Sequence, residues 1–225
     1  MKQLAYLIFL MGLITYFWEH PVLYPLKLLV VFFHESSHAL ATVLTGGQVK
    51  EFVINYEQGG HVVSLGGNRF IILSSGYLGS LLWGVIIYVA SVQILYDKVL
   101  MGCLGVSIIL ITVLLSSSKF SWLFGLTSGI GMLVIARFLA NSYNDFLLRL
   151  LGLTSMIYVP LDIYSDTIFR AHLESDAYML AQHTGGSTVL WGSLWIAISL
   201  IVIYYCLKWS LVKQNQTRIK KHESF

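Results

Sequence analysis

Three ionisable residues stand within five positions of an otherwise apolar stretch, in the order His34-Glu35-Ser36-Ser37-His38. On a helix, residues four apart lie one turn above each other on the same face. Two imidazoles so placed can chelate one Zn²⁺, and the adjacent Glu35 can reach a metal-bound water as general base. Zinc brings the pKa of such a water to about 7 and polarises a carbonyl, so the pattern points to hydrolysis. With His 7 in 225 residues, chance arrangement of this composition yields about 0.006 such motifs. The motif lies between Leu28-Leu29-Val30-Val31-Phe32-Phe33 and Ala39-Leu40-Ala41. At membrane depth, charges this close together are costly unless paired or metal-bound, which marks the cluster as functional.

A catalytic zinc takes a third protein ligand and keeps one position open. Asp162, in Val159-Pro160-Leu161-Asp162, is the expected third ligand. It lies near the end of an apolar segment that, counted as the sixth crossing, runs parallel to the second, which carries His34 and His38. Pro160 interrupts the helix there and frees backbone to shape a site. Asp166, one turn on, is either the ligand itself or a hydrogen-bond partner of a histidine. Asp176 and His172 are the next candidates should both aspartates fail. His20, His61 and His183 read as interfacial or loop residues, and Asp97 and Asp145 as ordinary charges at span ends.

These residues need a frame, and composition supplies its type. The chain is 56% hydrophobic and 11% charged, with mean hydropathy +0.74. A soluble domain carries about a quarter of its residues as charges, so the bilayer is the expected solvent and the chain an integral, multi-pass membrane protein. A net charge of +3 with dispersed basic residues excludes a nucleic-acid partner. The tail with Lys213, Arg218, Lys220 and Lys221 reads as a solvated membrane flank. Cys103 and Cys206, both in apolar runs, behave as small hydrophobes.

The expected fold is an all-α polytopic membrane protein, one domain over 1–225, with about six or seven transmembrane helices. Candidate spans are 3–18, 22–45, 70–96, 99–115, 119–140, 143–165 and 188–210; the first reads as a retained helix, not a cleaved signal. The pair within 99–140 is either two spans or a re-entrant hairpin. Between the second and third spans, about 47–69, β-prone runs flank Glu57-Gln58-Gly59-Gly60 and predict a β-hairpin. Its edge could hold an unwound substrate segment extended, because a helical peptide hides its carbonyls from attack. Residues 166–187 read as a polar loop. Gly76, Gly79 and Gly84 form a small-residue face expected to pack the third span against the helix of His34.

Taken together, Phe33 to Ala39, Gly46-Gly47, Gly76-Tyr77-Leu78-Gly79, Leu161-Asp162 and Ser175-Asp176-Ala177 resemble the M50B-like subset of the site-2 protease (M50) intramembrane metalloproteases. The resemblance covers roughly 30–195. It implies an intramembrane zinc metalloendopeptidase acting on membrane protein substrates within the lipid bilayer, with His34 and His38 as ligands and Glu35 as catalytic base. In that family the third ligand lies in an LDG or NPDG motif. Here Ile163 follows Leu161-Asp162, so the choice between Asp162 and Asp166 stays open. No PDZ-like insertion is visible. The alternative reading is a catalytically silent scaffold or metal carrier with the same fold, against which Glu35 argues, since a pure ligand site does not need it.

Overall fold

The computed structural model describes residues 2–18, 20–93, 96–170 and 174–223, with side chains beyond Lys213 left aside. The chain is mostly helical. Helix α1 (Lys2–Tyr16) leads through a 3₁₀ turn at Pro21–Leu23 into α2 (Tyr24–Leu44). Strands β1 (Gln48–Ile54) and β2 (Gly60–Leu65) follow, then α3 (Arg69–Gln93), α4 (Asp97–Leu115), α5 (Lys119–Phe138) and α6 (Asn141–Tyr164). A π-helical turn, Ser165–Phe169, prolongs α6, and α7 (Asp176–Thr184) and α8 (Thr188–Glu223) complete the order.

Among the described residues, five helical stretches are long and apolar enough to cross a membrane: α3, α4, α5, α6 with its π turn, and α8 as far as Lys213. The expected first two spans differ from this simple pattern. Leu7–Tyr16 and Pro21–Leu44 meet at 112° and together make at most one further crossing. Pro21 and Pro25, at the first positions of the 3₁₀ turn and of α2, start new helical segments without continuing α1. The region 99–140 is two helices, α4 and α5, separated by Ser116–Ser118 and each of spanning length.

α2 is the central helix. Every residue from Lys27 to Ala39 is buried, including the three ionisable ones. Its hydroxyls are satisfied locally: Ser36, Ser37 and Thr42 each donate to the carbonyl one turn back. Small residues set how closely the neighbours approach. A Cβ at Gly79 would run into Ser37 of α2, and Gly76 faces the two histidines. Gly84 departs from the expected role: it packs on α6, where a Cβ would come 2.9 Å from the Gly152 carbonyl oxygen. Ser155 donates to the Ser80 carbonyl at 2.7 Å across the same α3–α6 seam. α4 and α5 meet in the same way through Gly105 and Gly129, as small residues do in membrane helix pairs.

The hairpin forms as predicted. β1 and β2 pair antiparallel with Val53 opposite His61 and Ile54 opposite Gly60. Its turn is closed by Asn55, whose side-chain oxygen accepts from the N–H groups of Glu57 and Gly59. Tyr24 at the start of α2 donates to the Tyr56 carbonyl and tethers the tip.

The expected polar loop 166–187 is largely structured. The chain leaves α6 through the π turn and then forms α7. Ser175 caps α7 by accepting from the Tyr178 N–H, and Gly185, with φ +85°, ends it. Among the candidates weighed from sequence, His172 lies outside the described residues.

Candidate metal centre and active site

The HExxH turn of α2 presents both imidazoles to one point. Asp176, the first residue of α7, brings Oδ2 to 3.0 Å from His34 Nε2 and 3.1 Å from His38 Nε2. These three ligand atoms lie within 4.8 Å of one another. Burial alone would push the Asp176 carboxyl up, but the facing His38 and His34 hold it well below the usual carboxylate range. An anionic oxygen and two imidazole nitrogens form a donor set suited to zinc.

The surroundings fit an ion at that point. His38 Nδ1–H donates to the Ile72 carbonyl at 2.7 Å, which fixes the tautomer with Nε2 free to ligate. Opposite the ligand atoms stands Gly76. A Cβ there would come within 2.6 Å of Asp176 Oδ2 and nearer still to both Nε2 atoms, so only glycine leaves the space clear. Tyr77, the next residue, sets its ring edge-on to His34 with centroids 5.2 Å apart.

Glu35 is buried beside the hairpin. A Cβ at Gly60 would come 2.7 Å from Glu35 Cγ and 2.8 Å from Glu35 Oε1. Glycine at the start of β2 therefore lets strand backbone pass directly against the carboxylate. A cleft of about 370 Å³ opens here, lined by His34, Glu35, His38 and Asp176 together with Gly60 and Val62 of β2.

The hairpin's two edges are used differently. On β1, the N–H groups of Phe52 and Ile54 donate to the hydroxyls of Ser117 and Ser121 at 3.1 and 2.7 Å. Ser117 N–H and the Ser121 hydroxyl return bonds to the carbonyls of Phe52 and Ile54. The outer edge of β1 is thus capped by the α4–α5 junction. Val53 and Asn55 face β2, so the alternation of strand backbone turns the main-chain groups of Gly60 and Val62 outward, at the cleft.

A family model described as peptidase M50B-like matches residues 7–206. The chain belongs to the peptidase M50B-like family. Comparison with curated proteins and with solved structures gave no significant match. As a member of a peptidase family that is zinc-dependent in general, and with five to six apolar helices of spanning length, this M50B-like chain is an integral membrane protein.

The structure brings His34, Glu35 and His38 together, leaves Asp162 outside their cluster and sets Asp166 on the wall of the same cleft, away from the ligand atoms. Asp162 Oδ1 accepts from Arg170 Nη2 at 3.0 Å, and Asp166 Oδ1 lies 2.6 Å from the same nitrogen. Tyr77 adds a hydroxyl bond to Asp166. Both carboxylates are therefore held by a guanidinium, while Asp176 is the carboxylate that stands against His34 and His38. By sequence, 3–18 and 22–45 read as separate crossings and 166–187 as loop. The bend between α1 and α2 removes the first premise, and α7 removes the second. A signal for α7 is present in Ser175-Asp176, an N-cap with an acid in the first turn, answered by Gly185-Gly186. Of the other histidines, His20 accepts from the Val22 N–H, and His61, on β2, lines the same cleft and stands 3.6 Å from Glu51. Asp145 pairs with Arg149, and Asp97 accepts from Asn141.

Proposed function

We propose that this M50B-like protein is an intramembrane zinc metalloendopeptidase that hydrolyses peptide bonds in or near the membrane segment of substrate proteins. His34, His38 and Asp176 would hold the ion, and Glu35 is the catalytic base. The observation that carries this is the convergence of two α2 imidazoles and the α7 carboxylate on a point kept clear by Gly76, with Glu35 beside it. A bound zinc would supply a Lewis acid for the scissile carbonyl and an acidified water.

The protein's own groups account for the rest. Glu35, buried next to Gly60, takes the proton of the attacking water and returns it to the leaving amine. The Ile72 carbonyl keeps His38 in its ligating tautomer. The open edge of β2, through Gly60 and Val62, offers main-chain pairing to a substrate segment and holds it extended next to Glu35. α2 is buried by its neighbours along the reacting turn, so the water that reaches the site does so through the cleft.

The test is cleavage of a co-expressed single-span protein, with metal analysis of the purified enzyme. Wild type should contain about one zinc per chain and cleave. Glu35→Gln should keep zinc and lose cleavage, while His38→Ala should lose both. Unchanged zinc in a His34→Ala/His38→Ala double variant would overturn the assignment. A zinc-loaded wild type that cleaves no membrane substrate would favour the silent or metal-carrying alternative.

A further inference from the structure

The two imidazoles of the metal centre are secured in different ways. His38 donates from Nδ1 to the Ile72 carbonyl at 2.7 Å. A histidine that ligates a metal commonly gives its other ring nitrogen such a partner, which fixes the direction of the ring. His34 Nδ1 is buried and has no hydrogen-bond partner among the described residues. Its Nε2 nevertheless has to stay within about 0.5 Å of the productive position for a metal site to hold. Something other than a hydrogen bond at Nδ1 must keep this ring from turning.

Packing supplies it. The His38 ring meets His34 at 4.8 Å and 70°, but that contact only joins one ligand to the other. From outside the HExxH turn comes Tyr77 of α3, edge-on to His34 with ring centroids 5.2 Å apart at 82°. Tyr77 is itself fixed on two sides. Trp195 of α8 packs on its ring at 5.2 Å and 51°. Its hydroxyl donates to Asp166 Oδ2, and Asp166 Oδ1 lies 2.6 Å from Arg170 Nη2. Tyr77 is 1% exposed, so its ring cannot swing away into solvent.

We propose that Tyr77 is a positioning residue of the metal site: clamped by Trp195 and Asp166, its ring holds the His34 imidazole toward the ion, the part that the Ile72 carbonyl plays for His38. The proposal rests on the metal-dependent reading above. It gives a task to two carboxylates that stand outside the ligand set. Asp166 anchors the hydroxyl, and Asp162 shares the guanidinium that braces Asp166. Consecutive residues of α3 then serve the site in turn, Gly76 by leaving room for the ion and Tyr77 by steadying a ligand.

The experiment measures the zinc affinity of the full chain in detergent by competition with a chelator. Cobalt(II) in place of zinc gives a second readout, since its visible absorption follows ligand geometry. Tyr77→Leu should weaken zinc binding by about tenfold or more, the range for a lost partner of a metal ligand, and alter the cobalt spectrum. Tyr77→Phe keeps the ring, so most of the affinity should return, with roughly a threefold deficit for the lost hydroxyl bond. Asp166→Ala should cost a similar factor. The Tyr77→Phe/Asp166→Ala double variant should bind no more weakly than the weaker single one, because both substitutions remove the same bond. Should Tyr77→Leu fail to fold, the Tyr77→Phe and Asp166→Ala cycle decides by itself. Unchanged zinc binding in a folded Tyr77→Leu, or Tyr77→Phe and Asp166→Ala losses that are absent or simply add, overturns the positioning role and leaves the metal centre standing. A wild-type chain that binds no zinc overturns the metal-dependent reading and this inference with it.

Discussion

Asp176 and Asp166 border the same cleft, yet they keep opposite company. Asp166, with Asp162, is engaged by the Arg170 guanidinium and by the Tyr77 hydroxyl. Among the described residues, the polar side-chain atoms that Asp176 meets are imidazole nitrogens, whose lone pairs serve a cation as readily as its own oxygen does. The hairpin repeats this contrast in backbone. The outer edge of β1 is closed by Ser117 and Ser121, and the outer edge of β2 is left to the cleft. In both cases the protein satisfies one of two similar sets of polar groups internally and leaves the other available to metal or substrate. Internal partners commit a group, and the uncommitted ones mark where chemistry can occur.

The strongest challenge to this contrast is exchange of the acids. Asp176→Ala should leave the purified protein nearly free of zinc and inactive, whereas Asp162→Ala should retain zinc; metal analysis of the two side by side decides it. The reverse outcome would restore Asp162 as ligand and void the distinction between committed and free carboxylates.

The backbone version can be sharpened with proline. In β2, the Val62 N–H points to the cleft and makes no bond to β1, so Val62→Pro should slow cleavage by about tenfold through loss of one pairing donor, with zinc content unchanged. Unaltered kcat/KM in this variant would show that substrate does not pair with β2.

A smaller effect is expected at the guanidinium. Arg170→Ala leaves Asp162 and Asp166 without their cation and loosens the chain just before the segment leading to Asp176. Apparent zinc affinity, read by competition with a chelator, should fall by roughly tenfold, the lower range for an outlying partner of a metal site. A fall as deep as that of Asp176→Ala would mean that the Arg170 cluster belongs to the centre itself.

The least effect on activity belongs to the closed edge. Ser121→Ala strands the buried Ile54 N–H and should lower stability by about 1–3 kcal/mol, seen as a lower thermal midpoint in detergent, while the zinc content stays the same. Stability equal to wild type would show that this edge was not held by the serine.

The sequence by itself determined the solvent, the later long helices and the hairpin, and it set two histidines of the candidate site on one helical face. Apolar runs of spanning length required a membrane, because the bilayer core admits backbone only in internally bonded form. The HExxH spacing placed His34 and His38 on one helical face, a local consequence of the 3.6-residue turn. The glycine-punctuated stretch after α2 specified a hairpin for equally local reasons. Tertiary structure alone decided the third member of the cluster. Asp162, Asp166 and Asp176 are each a carboxylate near the end of a helix or the start of one, and nothing in their immediate sequence says which will meet an imidazole. The bend between α1 and α2 set the approach of α2, the π turn carried the chain out of α6, and the cap at Ser175 started α7 where Asp176 reaches His34 and His38. The same holds for the hairpin edges. Their pattern of strand residues is legible, but which edge stays open depends on where the α4–α5 junction comes to rest, and that is settled by packing between segments far apart in the chain.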